Sequence, residues 1–281
     1  MRGATRLAWP YLAGLLVLVA LPLCGSVALA FTEYSGISAP EFNGLDNISR
    51  LFGDASFWRS FGNSIVYAAI AVPVRLVVAV GLALLLHKRA LGATAGRVGA
   101  YMPSVIPDVA YALLWLWLLN PLYGPLAVAL RGAGLPDVLT DPWSARVAMA
   151  LMGAFQVGEA FIVALAARRA VSERLYEVAA VDGASAWFTL RRLTLPVMAP
   201  LIGLLALRDV ILSFQINFVP ALLVTEGGPR LATTYLPLYA YRQAFRYFRL
   251  GYASAMSLTM FLFTGLIVYV QYRLIRKWRL R

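Results

Sequence analysis

One cysteine and one histidine are all that these 281 residues offer to thiol or imidazole chemistry. Cys24 alone excludes an intramolecular disulfide and any cysteine-based metal cluster. His87 stands beside Lys88 and Arg89 at the end of an apolar run, which leaves little from which to build a metal site or a nucleophile–base pair. Charge is scarce too. Asp, Glu, Lys and Arg make up 14% of the chain, against about 25% in an ordinary soluble domain, too little to cover a soluble body of this size. A nucleotide-hydrolysing loop is also missing. No G-x-x-x-x-G-K-[ST] phosphate loop occurs, and the nearest stretch, Gly92 to Arg97, lacks the terminal Gly-Lys-Ser/Thr.

What is present is apolar length. The chain is 61% hydrophobic, and a bilayer's hydrocarbon core takes about 20 apolar helical residues. Six runs reach that length, at residues 8–31, 62–86, 98–119, 145–167, 197–224 and 254–273. The first ends Ala28-Leu29-Ala30, which mimics a signal-peptidase site. However, the uncharged stretch from Leu7 to Thr32 exceeds the roughly 7–15 residues of a signal peptide's apolar core. A retained helix is expected there. The reading is an all-α integral membrane protein with six transmembrane helices, forming one transmembrane domain over 1–281. The gaps between runs are too short to hide a soluble domain.

The net charge of +12 is dispersed between apolar runs, which fits membrane topology and gives no stripe for nucleic acid. Of the 25 Lys and Arg, 15 fall in the amino terminus, the loops 87–97 and 168–195 and the tail from Arg273, while 7 fall in the alternate segments. By the positive-inside rule both termini are expected in the cytoplasm, and so is the 172–195 segment.

That segment is unusual. Ser172 can cap a helix with Glu173 in its first turn, and Asp182-Gly183 can end it, because glycine adopts the left-handed cap at low cost. Ser185 can start a second short helix that passes through Pro196 into the fifth run. Ala179, Ala180 and Gly183 are small, Leu175, Val178 and Val181 are apolar, and Glu177 is charged. The residues alone leave two readings open: a docking element for another protein, or an ordinary solvated loop.

Charged side chains within the runs cost about 2.5–3.5 kcal/mol each and so raise a functional question. Arg75, Asp108, Glu159 and Arg208, with Asp209 adjacent, lie near mid-run. On a continuous helix Arg208, Leu212 and Gln215 share one face, and Asp209, Ser213 and Asn217 share the next. Pro73, Pro103 and Pro107 can break hydrogen bonding in the second and third runs, as in helices that line a transport path. Two readings again stand: Arg75, Asp108, Glu159, Arg208 and Asp209 pair across the helices, or some of them, with Gln215 and Asn217, hydrogen-bond a polyhydroxylated ligand. In residues 225–253, Arg242, Arg246 and Arg249 run beside Tyr241, Phe245, Phe248 and Tyr252, a helical pattern suited either to the headgroup zone or to an external partner.

The segment Glu177-Val178-Ala179, Asp182-Gly183-Ala184, Leu195-Pro196 resembles the EAA loop of ABC-importer permeases, with Val178 in place of the first alanine. Met102-Pro103, Ile106-Pro107, Trp115, Asn120-Pro121 and Gly124 resemble the third span and following loop of carbohydrate-type permeases. Thr225-Glu226-Gly227-Gly228-Pro229, Tyr241-Arg242-Gln243-Ala244-Phe245 and Gly251-Tyr252-Ala253-Ser254-Ala255 resemble the last external segment of the maltose-type first permease subunit. The resemblance implies a type I ABC-importer permease fold in a prokaryotic cytoplasmic (inner) membrane. It implies that Glu177, Ala179, Ala180, Asp182, Gly183 and Ala184 form the loop that engages an ATPase. It also implies a second homologous permease completing a heterodimer, two ATP-binding subunits carrying the ATP and Mg, an extracytoplasmic solute-binding protein and a sugar or polyol substrate. This chain itself would hold no cofactor. The alternatives are an ion-coupled secondary carrier using Asp108, Glu159 or Asp209, a polytopic enzyme, and an ABC permease for a non-sugar substrate such as a peptide or phosphate; the Gly-Gly-Pro segment argues against the last.

Overall fold

The computed structural model describes residues 2–88, 91–215 and 217–279. Arg89 and the last two residues of the basic tail lie outside them, as does Ile216 of the fifth run. Among the described residues, four helices are long and apolar enough to cross a membrane: Trp9–Leu29, Ala55–Leu86, Ala186–Leu223 and Leu250–Arg273. Two bent pairs extend the number to six if each pair is one span. These are Ala93–Val105 with Asp108–Leu118, bent by 99°, and Pro142–Phe155 with Gly158–Arg169, bent by 53°. The all-helical reading has one small exception among the described residues, an antiparallel pairing of Thr32 with Phe42 and Glu33 with Glu41.

Proline explains some of these shapes but not all. Before Pro107, Ile106 is extended at φ −70°, ψ 127°, as the clash with a following proline ring requires, and the third run turns there. Pro73, by contrast, lies inside the continuous helix Ala55–Leu86, where it removes one backbone donor without ending the helix. A single missing N–H is tolerated where the neighbouring turns hold. The fourth run bends at Gln156–Val157, where no proline stands. Two π-helical turns, Leu16–Ala20 and Leu190–Thr194, each end two residues before a proline, Pro22 and Pro196. A wider turn relieves the crowding between the proline ring and the carbonyl four residues earlier.

The chain forms two compact units. One comprises residues 1–60 and 236–263. In it Asn47 Nδ2 donates to the carbonyls of Ala30 (3.1 Å) and Thr32 (2.8 Å), tying the helix Asp46–Gly53 to the end of the first span. The helix Leu236–Tyr241 continues as a π turn to Arg246 and then stops. Tyr247 leaves helical geometry and Phe248 takes φ +52°. The expected basic and aromatic stripes are therefore broken before Arg249 and Tyr252.

The second unit comprises residues 61–235 and 264–281. Its buried core includes Ala79, Ala83, Ala160, Phe161, Ala164 and Leu205. Alanine faces let helix backbones approach closely, which is how packing is gained where lipid supplies no hydrophobic drive. In this unit Arg146 donates to Asn63 Oδ1 (2.9 Å) and to the Ala232 carbonyl (3.2 Å). Asn63 in turn donates to the carbonyls of Leu231 (2.7 Å) and Thr234 (3.2 Å), so the segment after Gly227-Gly228-Pro229 is held by side chains of two spans.

Candidate functional site

The 172–195 segment folds as a helical hairpin. Its first helix is Glu173–Val181. Ser172 occupies the N-cap position, but its hydroxyl makes no capping bond, contrary to the expectation from sequence. The C-terminal end is closed more firmly. Gly183 lies at φ +72°, its N–H donates to the Ala180 carbonyl (3.1 Å), and the Ala184 N–H donates to the Ala179 carbonyl (2.9 Å). That pair of bonds is a Schellman closure, which needs a residue at ease in the left-handed region. Ser185 then caps the second helix, Ala186–Thr189, by accepting from the Phe188 N–H at 3.2 Å. The second helix runs through the π turn Leu190–Thr194 into the helix Leu195–Ser213.

Ala179, Ala180, Asp182, Gly183 and Ala184 thus build the turn, while Glu177 is exposed on the first helix. Around them the hairpin presents Leu175, Val178 and Val181, the last 87% exposed, together with Trp187 and Phe188, both more than half exposed. Sequence reasoning passed over Trp187 and Phe188. The available signal was an aromatic pair directly after the Ser185 cap, next to Arg191 and Arg192.

Deeper in the same unit lies a polar cluster. Arg75, from the middle of the second span, is 4% exposed. Its Nε and Nη2 donate to the Gly153 carbonyl at 3.0 and 2.8 Å. Gly153 has to be glycine, because a Cβ there would press on the Tyr67 hydroxyl and on Arg75. Arg75 Nη1 stands 3.8 Å from Asp209 Oδ1, and Arg208 Nη1 stands 3.5 Å from the same oxygen. Arg208 also pairs with Glu159. Arg75 and Arg208 thus share Asp209 as a charge partner, and Arg208 also reaches Glu159. Among the described residues Asp108 makes no ion pair.

The breaks in the third and fourth spans meet at this cluster. Asp108 and Glu159 are each in the first turn of the second half-helix, where the helix dipole favours an acid. The Gly158 N–H donates to Ser104 Oγ at 2.8 Å, joining one break to the other. Arg75, Ser104, Asp108, Gln156, Glu159 and Arg208 line a cavity of about 150 Å³. Ser104 and Gln156 were not expected from sequence. Gln215 is exposed and lies in the turn after Ser213, not on the cavity. The helix ends at Ser213, so the face expected to carry Asp209, Ser213 and Asn217 is interrupted. Asn217 begins the next helix, 1% exposed, with neither side-chain polar atom bonded among the described residues.

Comparison with known proteins gives a consistent result. No family model matches the chain. The chain is 32% identical over 276 residues to the probable ABC transporter permease protein YesP of Bacillus subtilis (strain 168), covering 96% of this chain and 89% of that one. It is 30% identical to the trehalose/maltose transport system permease protein MalF of Thermococcus litoralis (90% and 86% covered). It is 28% identical to the lactose transport system permease protein LacF of Rhizobium radiobacter (94% and 90% covered). Among solved structures, a bacterial ABC transporter involved in import of the acidic polysaccharide alginate superposes with a TM-score of 0.85 at 24% identity, over 98% of this chain and 95% of that one. A second structure, of the bacterial alginate ABC transporter with an alginate pentasaccharide-bound periplasmic protein, has a TM-score of 0.84.

Proposed function

We propose, from the premise that this chain belongs to the ABC-transporter permease family, that it is the membrane-spanning subunit of an ATP-driven importer for a sugar or polyol. It is a multi-pass membrane protein and a transporter subunit, not itself the hydrolase. That membership removes the ion-coupled carrier and the membrane enzyme. The sugar reading is supported by the lactose and trehalose/maltose relatives. It is also supported by a cavity whose lining balances Arg75 and Arg208 against Asp108 and Glu159 and offers Ser104 and Gln156 to hydroxyl groups.

In this reading the chain sits in a prokaryotic cytoplasmic membrane with both termini inside. ATP and Mg²⁺ bind to two copies of a separate ATP-binding subunit. A second, homologous permease completes the pathway, and an extracytoplasmic solute-binding protein delivers substrate. Closure of the ATP-bound subunits pulls the 172–195 hairpin, and the spans move between inward-open and outward-open states around a mid-membrane site. Arg208, Asp209, Glu159 and Asn217 belong to that path. Gln215 is placed with them; of the five, Arg208 and Glu159 line the cavity, whereas Asp209, Gln215 and Asn217 lie off it.

The observation that carries the proposal is the hairpin itself: a Schellman-closed turn with apolar side chains left in the open, in a chain with no phosphate loop. The test is co-purification of the ATP-binding subunit with this chain. Glu177→Ala combined with Val181→Asp is expected to abolish both co-purification and ATP-dependent uptake while leaving the chain in the membrane. Normal uptake by that double variant would overturn the proposal.

A further inference from the structure

Beside the hairpin lies a larger cavity of about 1000 Å³, whose lining includes His87, Lys88, Arg168, Arg169, Glu173, Tyr176 and Glu177. A chain of contacts crosses it. His87 Nδ1 is 2.6 Å from the Leu84 carbonyl oxygen, and His87 Nε2 is 3.2 Å from Arg168 Nη2. The Arg168 guanidinium lies over the Tyr176 ring, 4.3 Å from its centroid. The Tyr176 hydroxyl meets Thr194 Oγ1 at 2.8 Å, and Thr194 is buried in the π turn that opens the fifth span. On its apolar side Tyr176 packs against the buried cluster of Ala167, Val171 and Met198. The end of the second span, the end of the fourth, the first hairpin helix and the start of the fifth are therefore linked through four side chains.

The chemistry of the two contacts on His87 selects one protonation state. A carbonyl oxygen only accepts, so Nδ1 carries the hydrogen. A guanidinium only donates, so Nε2 must offer its lone pair. Both demands are met by the neutral Nδ1–H imidazole and by no other form. A second proton would sit on Nε2, facing the Arg168 N–H groups.

We propose that His87 is a positioning residue for energy coupling: neutral, it holds Arg168 on Tyr176 so that movement of the hairpin reaches the span ends, and protonation releases that hold. This rests on the hairpin being the ATPase-docking element. The groups facing His87 all bear on the titration. Burial lowers its pKa, the bond to the Leu84 carbonyl raises it, Arg168 and Lys88 lower it, and Glu173 raises it; the net direction is down. Arg97, which donates to the carbonyls of Leu86 and Lys88, adds a further cation nearby, and Arg169 and Glu177 line the same cavity. The held state is thus present at neutral pH and lost only as the hairpin side becomes acidic.

The experiment uses the assembled transporter in proteoliposomes, with its ATP-binding subunits and binding protein, and reads substrate moved per ATP hydrolysed at about pH 7.5 and about pH 5.5 on the ATPase side. In the unmodified chain the ratio is expected to fall by about threefold or more on acidification, within the range by which network residues alter coupling. His87→Gln, whose amide donates to Leu84 and whose oxygen accepts from Arg168, is expected to keep the neutral-pH ratio and lose the acid fall. His87→Lys, permanently charged, is expected to give the low ratio at both values. An acid fall in His87→Gln equal to that of the unmodified chain, or a normal ratio in His87→Lys at pH 7.5, would overturn the inference. A Val181→Cys, Cys24→Ser chain supplies the separate control. Failure to cross-link to the ATP-binding subunit overturns the docking reading, and this inference with it. Cross-linking with no difference among the His87 variants overturns this inference alone.

Discussion

Arg75 and Asp209 are both buried and 3.8 Å apart, yet Arg75 directs its two good hydrogen bonds to the Gly153 carbonyl and not to the carboxylate. Asp209 keeps two charge partners and no hydrogen-bond donor among the described residues. The arginine therefore does two jobs, bracing the fourth span near its bend and offsetting a carboxylate in the fifth.

Removing Arg75 leaves Asp209 with Arg208 as its one remaining charge partner among the described residues and strips the Gly153 carbonyl of its donors; breaking a buried pair in this way costs up to roughly 3–5 kcal/mol. Arg75→Met is accordingly expected to lower thermal stability in detergent sharply. Arg75→Met with Asp209→Asn should recover part of the loss, since the carboxylate left with Arg208 alone is gone while the Gly153 carbonyl still lacks its donor. Unfolding midpoints of the two variants check this; equal midpoints would show that the charge contributes nothing.

The hairpin turn gives a rank order. Gly183 lies at φ +72°, with open space where a side chain would project, so the cost of replacing it is conformational, about 1–2 kcal/mol for an ordinary residue. Gly183→Asn should retain most ATP-dependent uptake, Gly183→Ala less, and Gly183→Pro almost none. Proline fixes the wrong φ and removes the N–H that binds Ala180. Uptake in membrane vesicles, set against the amount of assembled transporter, reads the order directly.

Trp187 and Phe188 are large, exposed aromatic side chains on a protruding helix, the type that dominates binding energy when covered by a partner. Trp187→Ala is expected to weaken binding of the ATP-binding subunit by about tenfold or more, with little change in folding, since the side chain is mostly in the open. Titration of the purified subunit against the reconstituted permease measures it.

Asp54 caps the N-terminal end of the second span. Its Oδ1 accepts from the N–H groups of Ser56 (2.8 Å) and Phe57 (3.2 Å), and its Oδ2 accepts from the hydroxyls of Tyr239 (2.6 Å) and Tyr252 (2.7 Å). Burial pushes its pKa up, but the bonds from Tyr239, Tyr252, Phe57 and Ser56 outweigh burial and leave it below its ordinary 3.8. A depressed carboxylate contributes stability above its unfolded pKa and loses it as pH falls through the folded value. Unfolding midpoints should therefore hold steady above about pH 5 and drop near and below pH 4. Asp54→Asn should flatten that acid limb and lower stability at neutral pH by about 0.5–2 kcal/mol, as for a lost N-cap. Tyr239, pushed up to about 12 mainly by burial and then by Asp54, should keep its proton until strongly alkaline pH.

Much of this protein was determined by its sequence alone. Long uncharged runs can satisfy their backbone in lipid only as helices, so the helical, membrane-spanning class follows from composition and length. The hairpin was legible for a similar reason: Gly183 and Ser185 act on their own backbone neighbours, and local chemistry does not depend on the rest of the fold. Only the tertiary structure decided the bend at Gln156–Val157, where no proline stands, and the end of the helix at Ser213, which separates Gln215 and Asn217 from the faces that periodicity assigns them. Only it chose Asp209 for Arg75, left Asp108 without an ion-pair partner among the described residues, and brought His87, Arg168, Tyr176 and Thr194 into one line. Such pairings depend on how helices far apart in the chain meet. Spacing along a single helix carries no information about that, because lipid-facing and protein-facing apolar residues look alike in sequence.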